Sequence, residues 1–264
     1  MMAAENKQSF WEHLDVLRAA IGKIALVTVG FGMVAFFFKE QLFSVVLAPK
    51  SDGFITYRLF NQIAAWSGGL SESFSVRLIN TGLAGQFIIH MKAALCAGVL
   101  CASPYILYQL FRFVSPALYV NERKYVVQVV GGGYAMFALG VAVSYFLIFP
   151  LTFRFLGTYQ VSDDVDNLIT LDSYISTLVM MCLAMGLVFE IPMLSWLFAK
   201  LGFLSADFMH RYRKHAIVII LVVAAIITPT SDVFTLSLVA LPMWILYEVS
   251  IWICLLYTSD AADD

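Results

Sequence analysis

Charged residues are scarce in this 264-residue sequence, at 13% of the chain, whereas soluble domains carry about a quarter. The 16 basic and 18 acidic residues give a formal net charge of −2, which excludes binding to nucleic acid through bulk charge. Hydrophobic residues make up 61% of the chain. Such a chain could not cover its own surface in water, so the sequence predicts an all-α polytopic membrane protein.

The sequence also lacks the patterns that carry enzyme chemistry. It has no nucleophile–base pair, no metal-ligand spacing and no glycine-rich phosphate loop in a polar context. Its four cysteines lie in or beside apolar runs without C-x-x-C spacing, so they are expected to be small buried hydrophobes. We therefore expect no enzyme activity and no bound metal or other cofactor; an intramembrane enzyme is the weaker alternative.

Long apolar runs, in contrast, are abundant. A helix needs about 20 apolar residues to cross a bilayer. The fifth apolar run, at about 216–229, reaches only about 20 Å as a helix, so we expect it to form a short hairpin with the sixth run, at about 233–253. Residues 39–85 are predicted to be a long connection outside the membrane with short helices or strands. The predicted spans, within one domain of residues 1–253, are about 19–38, 86–109, 125–150, 173–199, 216–229 and 233–253.

Basic residues in the short connections predict the orientation of the chain. On one side these connections contain Arg154 alone, and the long 39–85 connection counts less because long loops cross largely regardless of charge. Both termini and the central connector at 111–124, FRFVSPALYVNERK, are therefore predicted to be cytoplasmic. The basic residues on that side are Lys7, Arg18, Lys23, Arg112, Arg123, Lys124, Arg211, Arg213 and Lys214.

Four acids are the candidate functional residues. Glu122, in the central connector, either pairs with a neighbouring basic residue or receives guanidinium groups of a ligand. Glu190 lies inside an apolar run, where it either serves function or makes an interhelical hydrogen bond. Glu248 is expected at the membrane interface, and Asp232 is expected to cap the sixth span.

Five motifs occur in order along the chain: HLDVLR at 13–18, YQLFRFVSPALYVNERK at 108–124, SYFLIFP at 144–150, GLVFEIP at 186–192 and TPTSDVF at 228–234. Together they resemble the TatC family, the multispanning core subunit of the twin-arginine protein translocase. The resemblance covers Phe10 to Ile253. Their common order and spacing make the resemblance more specific than any one motif.

The resemblance implies a signal-peptide receptor and scaffold that exports folded proteins across the bacterial cytoplasmic membrane, driven by the proton gradient. The implied partners are twin-arginine signal peptides, TatA- and TatB-type single-span subunits and membrane lipid. The receptor complex is expected to contain a homo-oligomer of the chain. Nucleic acid is not an expected partner. The competing interpretation is a proton-coupled secondary transporter that uses Glu190.

The resemblance also implies site residues on both sides of the membrane. Glu190 matches the intramembrane glutamate of the family. The signal-peptide-binding residues are expected to be Glu122, Phe113, Pro116, Glu12, Asp15 and Arg18. Further matched positions are Pro49, Tyr145, Asp232 and Glu248.

The N-terminal motif departs from the family pattern. Many members carry an acid three residues after the histidine, where this chain has Val16. On a helix the neighbouring Asp15 is turned by about 100° from that position. Either Glu12 or Asp15 is expected to make the second arginine contact, or Glu122 carries more of it.

The C-terminal stretch at 254–264, CLLYTSDAADD, is a second departure. It turns abruptly polar and lacks the basic tail expected after a last span. The same peptide is encoded in one frame by a common adapter of sequencing libraries. We expect this stretch to be non-native and the native sequence to be interrupted near Ile253.

Overall fold

The protein is helical through nearly all of the residues that can be described. The computed structural model describes residues 10–66, 76–114, 126–160, 162, 167–200, 204–228, 230 and 232–260. Two strands of two residues each, β1 (Leu78–Ile79) and β2 (Ile169–Thr170), pair in parallel. The α-helices are α1 (Phe10–Phe37), α2 (Lys39–Val46), α3 (Ile55–Trp66), α4 (Gly85–Val114), α5 (Val126–Val143), α6 (Phe149–Thr158), α7 (Leu171–Val188), α8 (Ile191–Lys200), α9 (Ala206–Arg211), α10 (Arg213–Ile227) and α11 (Val233–Asp260).

Five described segments are long and apolar enough to cross a membrane: Leu14–Phe37, Gly85–Phe113, Val130–Thr158, Leu171–Lys200 and Val233–Leu256. The shorter α10 is the sixth apolar helix, and its 15 residues reach about 22 Å. A helix of this length requires local thinning of the bilayer or shelter by its neighbours. The predicted all-α polytopic fold is confirmed.

The first and fourth helices approach each other closely at two glycines. A Cβ atom placed on Gly98 would lie 2.6 Å from the Thr28 carbonyl oxygen and 2.7 Å from the Gly32 amide nitrogen. Only glycine therefore allows the two backbones to come this near, as at small-residue contacts between membrane helices. This contact fixes α1 against α4.

The centre of the bundle is the crossing of α5 and α7. A Cβ atom on Gly140 would lie 2.8 Å from Cβ of Phe189, and one on Gly186 would lie 2.7 Å from the Phe137 ring. Gly186 of α7 therefore lies opposite Phe137 of α5, and Gly140 of α5 lies opposite Phe189, the residue that follows α7. The two aromatic side chains are buried in this interlocked arrangement.

Two prolines alter the helices without ending the spans. The third span was expected to end near Pro150, but helical structure continues through a π-helical turn at Ser144–Ile148 and then α6. In the fourth span, α7 ends at Val188 because the ring of Pro192 would collide with the carbonyl group four residues earlier. The last helix, α11, extends past Ile253 to Asp260.

The long outer connection folds onto the bundle. We call residues 39–66 the outer cap; it consists of α2, a 3₁₀ turn at Ala48–Lys50 and α3. Near it, the ammonium group of Lys92 lies 2.7 Å from a carboxylate oxygen of Asp172, linking the outer ends of α4 and α7. The predicted short helices in this connection are present.

Candidate functional site

The N-terminal turns of α1 present part of the expected peptide-binding set. Asp15, Val16 and Arg18 are all exposed, and Glu12 belongs to the same helix. Asp15 and Arg18 are three residues apart and therefore neighbours on the helix surface. The exposed carboxylate of Asp15 therefore lies one residue before Val16, the position at which many members of the family carry an acid.

The end of α4 supplies a second part of this set. Phe113 is half-buried in the last turn of α4. Pro116 and Glu122 lie outside the described residues. The structure therefore describes Asp15, Arg18 and Phe113 of the predicted set, together with the helical backbone at Glu12.

The packing of α1 against α4 brings the N-terminal turns of α1 and the last turn of α4 to the same end of the helix pair. Asp15 lies 17 residues before Gly32, or about 26 Å along α1. Phe113 lies 15 residues after Gly98, or about 22 Å along the antiparallel α4. Since Gly32 and Gly98 are in contact, Asp15 and Phe113 lie at the same inner end of the helix pair.

Glu190 occupies the break between α7 and α8. Its backbone amide donates to the Leu187 carbonyl over 3.1 Å, and its own carbonyl accepts from Leu194 over 2.9 Å. The side chain is 6% exposed, and Oε1 is buried with no hydrogen-bond partner among the described residues. Oε1 of Glu190 therefore does not make the interhelical hydrogen bond that one of the two interpretations predicts.

The carboxyl group of Glu190 is directed at the glycines of α5. A Cβ atom on Gly133 would lie 3.1 Å from Oε2 of Glu190, and one on Gly132 would lie 2.8 Å from the terminal methyl group of Met193. Among the described residues outside the adjoining turns of α5, no atom would lie within 4 Å of a Cβ atom on Gly131. The triple glycine at 131–133 permits close helix packing in general, but only the fold reveals that Gly133 makes room for the carboxyl group.

Glu248 has a different environment. Its carboxylate accepts a hydrogen bond from the guanidinium group of Arg213, which joins α11 to the start of α10. The two side chains are 28% and 40% exposed. Sequence reasoning assigned Glu248 to the interface and missed its partner, although Arg213 was recognised as an inner basic residue.

Asp232 caps α11, as predicted. Its carboxylate accepts from the Thr235 amide over 2.8 Å and from the Thr230 hydroxyl over 2.6 Å. Partial burial opposes ionisation, but these hydrogen bonds outweigh it and lower the pKa of the Asp232 carboxyl group. The residue therefore stabilises the turn between α10 and α11 as an anion.

Two further family-matched residues lie at the outer side. Pro49 is buried in the 3₁₀ turn of the outer cap. The Tyr145 hydroxyl donates to the Val45 carbonyl over 2.7 Å. Among the described residues, no group of three or more His, Cys, Asp or Glu side chains could hold a metal ion.

Comparison with known proteins extends over the whole bundle. A family model for the Sec-independent protein translocase protein TatC matches residues 12–242. The TatC protein of Desulforapulum autotrophicum is 36% identical over 95% of this chain and 86% of its own length. That of Blattabacterium sp. subsp. Periplaneta americana is 32% identical over 96% and 97%, respectively.

A solved structure gives the same result. The crystal structure of a twin-arginine translocase receptor, TatC, matches with a TM-score of 0.75 at 31% identity, over 94% of this chain and 100% of that chain. Fold and site thus define a multi-pass helical membrane protein with a buried glutamate at the break between two of its helices. The chain belongs to the TatC family of Sec-independent protein translocase proteins.

Proposed function

We propose that this protein is the signal-peptide receptor and scaffold of a twin-arginine translocase in a bacterial cytoplasmic membrane. The similarity to a solved translocase receptor over 94% of the chain carries this proposal. The receptor takes up folded cargo at its inner face, and the proton gradient drives export. The competing transporter interpretation gains no support from these relatives, which are translocase proteins.

The paired arginines bind at the inner end of α1 and α4. Carboxylates receive guanidinium groups through two parallel hydrogen bonds, and a lysine cannot reproduce that geometry. Glu122 takes one arginine, and Asp15 or Glu12 takes the other in place of an acid at Val16. Asp15 and Phe113 lie at the same end of the helix pair, and this supports the assignment because one short peptide segment could reach both residues.

The remaining signal-peptide-binding positions surround the acids. Phe113 and Pro116 form the apolar part of the site, and Arg18 orients the acids of α1. Glu190 acts after peptide binding, at an intramembrane step. Its buried, unpartnered oxygen supports this role, since a carboxyl group is costly inside a membrane unless function requires it.

TatA- and TatB-type single-span subunits are the proposed protein partners. The receptor complex contains several copies of the chain in contact with membrane lipid. Exposed apolar side chains along α1 and α10, such as Leu26, Phe37, Ile219 and Ile226, provide surface for lipid or for other helices.

Photocrosslinking tests the receptor role. A photoreactive residue at Val120 should crosslink to a twin-arginine signal peptide in membranes and much less to its twin-lysine version. The same probe at Leu83, which is fully exposed on the outer connection, is the matched control and should give no arginine-dependent product. Glu122→Ala should weaken the Val120 crosslink.

Either of two results would refute the assignment. Equal crosslinking of the arginine and lysine peptides at Val120 would remove the central connector as the recognition element. Arginine-dependent crosslinking at Leu83 would place recognition on the opposite side of the membrane.

A further inference from the structure

The turn between α9 and α10 presents basic and aromatic side chains at the inner end of the bundle. Arg211 and Lys214 are exposed, and so are the rings of Phe208 and Tyr212. We call these four residues the inner corner. They lie outside the expected peptide-binding set, which belongs to α1, the end of α4 and the central connector.

The bundle holds α9 in a fixed orientation. Ala206 and Met209 are buried in a cluster with Ile251 and Cys254 of α11. The Tyr247 hydroxyl also donates to the Met209 carbonyl over 2.8 Å. Because this face of α9 is fixed against α11, the exposed face of α9 points away from the bundle.

Helical hydrogen bonding continues from α9 into α10 through Tyr212. The Tyr212 amide donates to the Phe208 carbonyl over 3.1 Å, and the Ala216 amide donates to the Tyr212 carbonyl over 2.9 Å. The ring centres of Phe208 and Tyr212 are 4.6 Å apart. Arg211 and Lys214 are three residues apart on the same helical path, so they are surface neighbours beside this aromatic pair.

The inner corner retains positive charge. Within the described part of the chain, Arg211 and Lys214 take part in neither of the two ion pairs. Arg213, which lies between them in sequence, is paired with Glu248 and adds no net charge. Asp207 is exposed one turn before Arg211 and offsets only one of the two remaining basic charges.

An exposed apolar strip on α10 continues from the inner corner. Ile217, Val218 and Leu221 follow Lys214 by three, four and seven residues, so they share its face of the helix, and all three are exposed. The 15 residues of α10 reach about 22 Å, whereas the hydrocarbon core of a bilayer is about 30 Å thick. A phospholipid with its headgroup at the inner corner would therefore lay an acyl chain along this strip.

We propose that the inner corner binds an anionic phospholipid such as phosphatidylglycerol. Arg211 and Lys214 bind its phosphate group, Phe208 and Tyr212 lie at the level of the headgroups, and the strip on α10 contacts one acyl chain. The bound headgroup is drawn toward the bilayer centre, which covers the end of a helix too short for the bilayer. Only the choice of the cytoplasmic leaflet rests on the orientation proposed above.

Native mass spectrometry of the detergent-solubilised protein tests the site. The protein is given an equimolar mixture of phosphatidylglycerol and phosphatidylethanolamine, and the bound lipids are quantified. Phosphatidylglycerol should predominate because it carries a net negative charge. The inner variant, Arg211→Gln with Lys214→Gln, should reduce this preference at least fivefold. Asp207→Asn, which removes the neighbouring acid, should increase it.

The outer cap supplies the matched control. Lys39 and Arg58 are exposed there, so the outer variant, Lys39→Gln with Arg58→Gln, removes the same two types of charge at the other end of the bundle. It should leave the preference for phosphatidylglycerol unchanged. Excess glycerophosphoglycerol, which is the headgroup without acyl chains, should not displace the bound lipid.

Three results would overturn the proposal. The first is an unchanged preference for phosphatidylglycerol in the folded inner variant. The second is an equal loss in the outer variant, because binding would then follow total charge. The third is displacement by glycerophosphoglycerol, because a site for soluble phosphate esters would then account for binding.

The single variants keep the test decisive if the inner variant does not fold. Arg211→Gln and Lys214→Gln are then measured separately, and an unchanged preference in both overturns the site. Signal peptide takes no part in these measurements. Failure of the lipid site is therefore distinguishable from failure of the receptor function, which the Val120 crosslink tests.

Discussion

Two glutamates inside the apolar helices show how differently one residue type can be used. Glu248, on α11, is paired with Arg213 at the start of α10 and is partly exposed. Glu190, between α7 and α8, is buried against Gly133 and has an oxygen without a partner among the described residues. A paired charge contributes to assembly, whereas an unpaired buried acid costs stability and is retained for function. We therefore propose that Glu190 is a functional acid and that Glu248 is a structural one.

Replacing Glu190 should give the largest effect on export. Glu190→Gln keeps the volume but removes the ionisable group, and we expect export to fall by about tenfold, the equivalent of about 1.4 kcal/mol. Thermal stability should stay the same or rise because a buried carboxyl group is removed. Export of a twin-arginine reporter and the melting temperature of the purified protein measure the two effects.

Glu248→Gln is the matched control for this change. It should lower the melting temperature by weakening the pair with Arg213 and should change export little. The opposite result, in which Glu248→Gln abolishes export and Glu190→Gln only destabilises, would reverse the comparison.

Two alanine substitutions on α5 test the environment of Glu190 further, and their expected effect on export is smaller than that of Glu190→Gln. Gly133→Ala places a methyl group 3.1 Å from Oε2 of Glu190, so the carboxyl group must shift, and export should fall several-fold. Gly131→Ala adds the same methyl group at a position where no described residue outside the adjoining turns of α5 lies within 4 Å, and it should leave export unchanged. It should also stabilise the helix by about 1 kcal/mol, since glycine is a poor helix former.

The paired substitutions separate packing from function. Reporter export and melting temperature are measured for both variants. Equal loss of export in the two would mean that α5 tolerates no added methyl group anywhere in the triple glycine. In that case the position of Glu190 would not be the cause.

The smallest effect is expected at the Arg213–Glu248 pair. A double-mutant cycle with Arg213→Met and Glu248→Met should give a coupling energy of about 1 kcal/mol, because exposure to solvent weakens the attraction. Denaturation of the four proteins in detergent measures this quantity. A coupling energy near zero would show that the pair does not hold α10 to α11.

Glu190 and Glu248 are conspicuous in the sequence because each interrupts an apolar run. Sequence reasoning also identified the cap at Asp232, since capping depends on residues within three positions of one another. It assigned no partner to Glu248, because Arg213 lies 35 residues earlier and meets it only after the helices pack. The same limit applies to Gly133, which lies far from Glu190 in sequence.

The outer cap shows the same difference between what local sequence patterns predict and what long-range contacts decide. The turn-rich connection predicted short elements outside the membrane. Pro150 predicted the end of the third span, but the helical structure continues to Thr158. Four hydrogen bonds from hydroxyl groups to backbone carbonyl groups fasten the outer cap to the bundle: Thr56 to Phe146, Tyr57 to Pro150, Tyr145 to Val45 and Tyr174 to Val46. They join positions about 90 to 130 residues apart. No local pattern indicates which hydroxyl group will bind which carbonyl group.

The sequence by itself determined the helical membrane fold and the family, because hydropathy and motifs are read along contiguous stretches. The tertiary structure alone decided which acid is paired, which glycine makes room for a carboxyl group, and how the outer cap is fastened. These features depend on contacts between distant segments, and such contacts exist only when the helices have packed against one another.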